Sequence, residues 1–282
     1  MVSSLTAALL ETTMSTPEIW NLHVPAPDAA TRFSNRVSDY VRYRPSYPAA
    51  LVQTLCSEAG LKTDSVVADV GSGTGISADL FLRLGCTVYG VEPNAEMRSA
   101  AESRFADQLR FHSVAASADA MSLPDTSVDL IASGQAFHWF DRDRARAEFS
   151  RILRPDGYVA LFWNSRRTDT TPFLAAYEAL LNEFATDYQQ INHTNIDAGV
   201  LSTFFADCPF EIRSFPNFQE FDYEGLKGRL LSSSYAPAAD HPRHEPMLLE
   251  LQRHFRNHES AGRVRFDYDT ELYFGRLHAS QG

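Results

Sequence analysis

Cysteine is scarce in this 282-residue sequence: Cys56, Cys86 and Cys208 are the only three, and none stands at a metal-ligand spacing. They read as reduced thiols of a cytoplasmic protein, not as a disulfide framework. His241, His244, His254 and His258 lack a companion Cys or carboxylate pattern, so no metal site is expected. Long apolar runs are missing too: no stretch approaches the ~20 residues of a membrane span. The apolar residues 5–10 are too few for a secretory signal, and no Lys or Arg precedes Arg32. Positive charge is in deficit, with 25 Lys and Arg against 36 Asp and Glu for a formal net charge of −11. That balance opposes nucleic-acid binding, which needs a basic face to neutralise phosphates. Neither repeats nor low-complexity runs interrupt the chain. Its length suffices for one large domain with a cap, or for two small domains.

What is present concentrates at residues 66–75. Val66-Val67-Ala68-Asp69-Val70 is a β-branched apolar run that passes into Gly71-Ser72-Gly73-Thr74-Gly75 and then into a helical pattern. It reads as strand, tight turn and helix, the arrangement that seats nucleotide-like cofactors at the end of a parallel strand. The dinucleotide fingerprint G-x-G-x-x-G requires a glycine where Ile76 stands. Asp69, two positions before the first glycine, would repel a phosphate but suit an ammonium group. The turn is therefore better matched to an amino-acid-bearing adenosine than to NAD.

Two further acidic positions follow at strand ends. Glu92 closes the apolar run Thr87-Val88-Tyr89-Gly90-Val91, about 20 residues beyond the glycines, where a carboxylate accepts both ribose hydroxyl hydrogens. Asp119, in Ala118-Asp119-Ala120, follows a strand near 110–114 and could accept the adenine amino group. With Val128-Asp129-Leu130-Ile131 and Leu153-Arg154-Pro155-Asp156-Gly157-Tyr158, these segments resemble the class I S-adenosylmethionine-dependent methyltransferases over residues 40–165. Gln135-Ala136-Phe137-His138-Trp139-Phe140 and Tyr43-Arg44-Pro45-Ser46-Tyr47-Pro48 are similar to the branch that includes trans-aconitate methyltransferase-like enzymes. The resemblance implies an α/β, Rossmann-like fold: a mostly parallel seven-stranded sheet, an antiparallel last strand and a helical lid. It also implies S-adenosylmethionine as cofactor, with Gly71, Gly73, Gly75, Ala118, Ala120 and Gln135 joining Asp69, Glu92 and Asp119 in its site.

The alternation of strand and helix signals agrees with that fold. Strands are expected at 65–70, 87–91, 110–114, 128–132 and 158–163, and helices at 48–59, 76–84 and 141–153. Arg154-Pro155-Asp156-Gly157 reads as a stop and turn. Residues 1–35 are expected to form a flexible arm with Trp20 as its candidate for docking, and 36–165 the cofactor-binding core. Residues 166–206, with two helix-like stretches rich in Phe and Tyr, are expected as a lid insertion whose aromatics also suit an ordinary core. The segment 207–282 completes sheet and cap through a strand at 210–221, helices at 223–231 and 245–258, a loop at 232–240 and a strand at 263–277.

The candidate chemistry lies just past strand four. His138 could take a proton from an acceptor hydroxyl near neutral pH, or it could shape the pocket; a carboxylate acceptor needs no base. Phe137, Trp139 and Phe140 would keep the site dry and favour a sulfonium by cation–π attraction. Arg44, Arg166, Arg167 and Arg229 offer guanidinium forks for carboxylates, Arg44 for that of the cofactor and the others for an anionic substrate. Tyr43, Trp139, Arg166, Arg229 and Tyr235 join His138 as substrate-contact candidates. The strand-four exit, Ser133-Gly134-Gln135-Ala136, lacks the Asp/Asn-Pro-Pro-aromatic pattern of enzymes that methylate base amino groups. The expected function is O-methylation of a small anionic acceptor. A nicotinamide-dependent oxidoreductase and a catalytically inactive cofactor-binding protein are the alternatives.

Overall fold

The apolar run Val66–Val70 becomes strand β1 of a seven-stranded sheet in the computed structural model, which describes residues 42–186, 188, 198–206 and 208–277. Residues 67–70 of β1 are fully buried because neighbouring strands flank it and helices cover both faces. β2 (Thr87–Val91), β3 (Phe111–Val114), β4 (Val128–Gly134) and β5 (Leu153–Arg166) follow in parallel. β6 (Phe210–Phe221) and β7 (Val264–Gly275) complete the order β3-β2-β1-β4-β5-β7-β6. β7 is antiparallel to both its neighbours, so β6 points the same way as β5. The chain winds outward from β1 through β2 and β3, then returns to β4 beside β1. That reversal opens a crevice beyond the carboxyl ends of β1 and β4, where ligands of such sheets bind.

Eight helices are described in order: α1 (Ala49–Glu58), α2 (Ile76–Leu84), α3 (Ala95–Arg104), α4 (Arg142–Ile152), α5 (Pro172–Phe184), α6 (Ala198–Phe205), α7 (Tyr223–Leu231) and α8 (His244–His258). Short polar side chains set several starts by accepting otherwise orphaned amide hydrogens. Asn94 accepts from Glu96 and Met97 at 3.0 and 2.9 Å, Thr171 from Leu174 at 3.2 Å, and Asp222 from Gly225 at 2.8 Å. Leu51, Leu55, Phe81 and Ala101 of α1–α3 pack with Val67, Leu130 and Phe162 on one sheet face. α4 and α6 cover the other face through Phe149, Ile152, Phe204 and Phe205. A third cluster joins α5, α7 and α8 around Phe266 and forms a cap at the site end of β6 and β7.

Two expectations are corrected. β5 is longer than the predicted 158–163: Leu153 already pairs with Val128, and a register shift before Leu130 absorbs the residues read as a turn. The two described helices of 166–206, α5 and α6, do not pack as one unit. α5 joins the cap, whereas α6 packs Phe204 against Phe137 at 4.7 Å and Phe149 at 5.9 Å, because α4 alone leaves that aromatic face uncovered. The predicted arm 1–35, with Trp20, lies outside the described residues.

Candidate active site

The glycine turn is tied to the strands on either side of it. Val91 O accepts the Gly71 and Ser72 amides at 2.8 and 3.1 Å, and Glu92 accepts those of Gly73 and Asn94 at 3.0 and 2.8 Å. Gly73 has φ +55°, and a Cβ there would meet nothing within 4 Å, so the backbone borders open space. Gly75 has φ +82°, and a Cβ would stand 2.3 Å from Phe105 Cε2. Gly75→Ala combines left-handed strain with that clash and is expected to destabilise the protein by roughly 2–4 kcal/mol in denaturant unfolding. A midpoint within error of wild type would refute this account of the turn.

Asp69 is fully buried beneath the turn. Ser77 Oγ donates to its Oδ2 at 2.7 Å, and its Oδ1 has no hydrogen-bond partner among the described residues. Burial, aided by the nearby charge of Glu92, pushes the carboxyl up to about 7 against the lowering effect of Ser77. Glu92 is raised by burial as well, against its two amide donors. Asp119 differs: the Ser117 hydroxyl holds it below the usual carboxylate range, and Arg144 pairs with it at 3.0 Å.

The exit of β4 supplies a second wall. Gln135 adopts φ +60°, unusual for a side chain with a Cβ, while its amide donates to Phe162 O at 3.0 Å and its Nε2 to Asn164 O at 3.2 Å. A 3₁₀ turn follows over Phe137–Trp139. It buries Phe137 among Phe140, Trp163 and Phe204 and leaves His138 and Trp139 beside the crevice. The segment 43–47 is strapped across the opening. Ser46 O accepts from Asn164 Nδ2 at 3.2 Å and Asn217 Nδ2 at 2.7 Å, Tyr43 O from Gln219 at 3.1 Å, and Arg44 donates to Ser232 O at 3.1 Å.

Turn, strap, β4 exit and cap enclose a cavity of about 530 Å³, within the range of small-molecule sites. Of the residues singled out from sequence, Arg44, Gly71, Gly73, Gln135, His138, Trp139, Arg166, Arg229 and Tyr235 border it. Asp69, Gly75, Glu92, Ala118, Asp119, Ala120 and Tyr43 do not. Asp69 communicates with the cavity through Ser77, Glu92 supports the turn, and Tyr43 packs on Gly228 of α7. Tyr47, Asn164, Glu178, Tyr188 and Tyr268 also border the cavity and were missed. Tyr47 stood inside the quoted 43–48 motif; the others carry no local signal, because only distant strand and helix pairings bring them there.

The cap arginines differ in electrostatics. Arg166 pairs with the Glu178 carboxylate, donates to Tyr188 OH at 3.1 Å and lies over the Tyr177 ring at 5.0 Å. Arg167 pairs outside the cavity with Asp269 at 2.7 Å. Arg229 is 7% exposed, and its Nη1 donates to Ser233 Oγ at 3.1 Å.

Comparison with known proteins converges on one family. Residues 68–161 match the model of a methyltransferase domain. A Geobacillus thermodenitrificans protein described as an uncharacterized methyltransferase is 32% identical over 171 residues, 57% of this chain and 74% of the relative. The chain belongs to the class I S-adenosylmethionine-dependent methyltransferases. A methyltransferase-like protein of Schizosaccharomyces pombe is 31% identical over 156 residues, 55% of this chain, and the match spans only 59% of that relative's length. In fold, a protein from Anaeromyxobacter dehalogenans assigned as a type II methyltransferase matches with TM-score 0.65 at 22% identity, covering 83% of this chain and 98% of its own. The YcgJ protein of Bacillus subtilis matches with TM-score 0.51 at 18% identity, covering 81% and 98%.

The residues of this chain fit the family's cofactor. A buried carboxylate oxygen without a partner among the described residues suits an ammonium group, the open backbone at Gly73 leaves room for a ligand, and Arg44 offers a cation at the cavity wall. Among the described residues no group of His, Cys, Asp and Glu is placed to hold a metal, and no helix is long and apolar enough to cross a membrane.

Proposed function

We propose that this protein methylates an oxygen of a small, anionic acceptor enclosed between the glycine turn and the cap. The observation that carries the reading is the cavity of about 530 Å³ that joins Gly71–Thr74 and Ser77 to Arg229. Bound at the turn, S-adenosylmethionine would supply an electrophilic methyl group, the acceptor lone pair forming the new carbon bond while the sulfur–carbon electrons remain on sulfur. The protein's own residues position, dehydrate and deprotonate. Asp69 favours the cofactor's ammonium, Arg44 its carboxylate, and Glu92 the ribose, while the aromatic wall at 137–140 excludes water. Asp119 takes the adenine amino group after exchanging its present contacts. His138 removes the proton when the acceptor is a hydroxyl. The cavity size and the −11 net charge favour a small molecule over a nucleic acid, and the similarity of 135–140 to trans-aconitate methyltransferase-like enzymes favours an anion. The three free cysteines suit the cytoplasm.

Thermal unfolding of the full chain tests this reading. S-adenosylhomocysteine at a hundred times its dissociation constant is expected to stabilise by about 2.7 kcal/mol, and NADPH not at all. A shift with NADPH alone would send the turn to hydride transfer instead. A shift with S-adenosylhomocysteine and no methyl transfer to any carboxylic acid or phenol would identify a binding protein.

A further inference from the structure

Arg229 is a buried cation without an anion among the described residues. It makes no ion pair with any described residue, and its Nε is buried with no hydrogen-bond partner among them. Its polar neighbours are the Ser233 hydroxyl and the hydroxyls of Tyr268, Tyr235 and Tyr177. Among them, burial raises Tyr177 further from ionisation. A guanidinium cannot escape the penalty of burial by losing its proton, so an isolated one costs several kcal/mol unless something neutralises it. Arg166 shows the contrast within the same cavity wall, since Glu178 already neutralises it. The charge at Arg229 is therefore left for a ligand.

We propose that Arg229 is the anchor for a carboxylate of the acceptor, held at the cavity wall beside Tyr235 and Tyr268. The inference rests on the methyltransferase reading above and narrows its anion to a carboxylate. With Nη1 turned to Ser233, the nitrogens on the opposite side, Nε and Nη2, form the planar edge that matches two carboxylate oxygens. One cation among neutral hydroxyls balances one negative charge. A phosphate dianion would call for a second cation or a helix N-terminus, and Arg166 is already engaged by Glu178.

The test is thermal unfolding of the full chain at constant ionic strength with acetate, succinate, benzoate, phenylacetate or inorganic phosphate, with and without S-adenosylhomocysteine. At least one carboxylate is expected to stabilise the wild type saturably, and phosphate is not. Arg229→Met is expected to weaken that carboxylate about 10- to 100-fold, to keep the S-adenosylhomocysteine shift, and to melt about 2–4 °C above the ligand-free wild type because the unpaired charge is gone. Should Arg229→Met not fold, Arg229→Lys keeps the charge without the fork and is expected to lose about tenfold in affinity. Absence of any saturable carboxylate shift, its survival in the variant, or a larger shift with phosphate overturns the anchor. Loss of the S-adenosylhomocysteine shift in the wild type overturns the methyltransferase reading instead, and the two failures are thereby told apart.

Discussion

Asp69→Asn is expected to weaken S-adenosylhomocysteine binding at least about a hundredfold at pH 8 while stabilising the ligand-free protein at that pH. Both effects follow from one carboxyl, fully buried, holding Ser77 Oγ at 2.7 Å and leaving Oδ1 without a partner among the described residues. Removing one member of a buried charge pair costs about 3–5 kcal/mol, which exceeds a hundredfold in affinity.

The pH dependence has a definite sign. Burial raises Asp69 from 3.8 to about 7 in the folded chain, so the folded state holds a proton between these values that the unfolded state has released. The contribution of this group to stability is complete below pH 3.8 and is lost as pH rises through about 7, a change on the order of 4 kcal/mol at 1.36 kcal/mol per unit. Binding of an ammonium selects the ionised form, so cofactor affinity should fall about tenfold per pH unit below 7 in the wild type and stay flat in Asp69→Asn. Calorimetric titration at pH 5.5, 7 and 8.5 reads both. Equal affinities in variant and wild type would remove Asp69 from the site.

His138→Ala is expected to lower kcat by roughly 10²–10⁴ and to erase the acidic limb of the rate profile, with S-adenosylhomocysteine affinity unchanged. The 3₁₀ turn that buries Phe137 leaves His138 bordering the cavity, with Trp139 packed beside its ring at 4.8 Å. From this position an imidazole would face an acceptor held in the cavity. A loss under tenfold, independent of pH, would identify an acceptor oxygen already ionised and reduce His138 to a wall of the pocket.

Reading the sequence located the parallel half of the sheet with little error, because each of its signals is local. A β-branched run, an alternating glycine turn and an amphipathic helix are encoded within about 20 contiguous residues, and β1, α2 and β2 fall where those patterns place them. Asp69 and Glu92 were legible for the same reason, as acids at strand ends. The start of β5 was misread since Pro155 and Gly157 carry turn chemistry, and the bulge opposite Val128 depends on a strand some 25 residues earlier.

The cap is where local signals ran out. Phe173, Tyr177, Phe204 and Phe205 look alike in sequence, yet α5 buries its pair in the cap and α6 buries its pair beneath Phe137 and Phe149. Which face an aromatic helix covers is decided by the apolar area other elements leave exposed. The same holds for charge. Arg166 and Arg229 were equivalent candidates along the chain, and only folding set Glu178 against the first and neutral hydroxyls around the second. The sequence by itself determined the strand–turn–helix that suits an amino-acid-bearing adenosine, since its backbone conformations are short-range. Tertiary structure alone decided which guanidinium meets a carboxylate among the described residues, because burial and pairing of a charge depend on residues far apart in the chain.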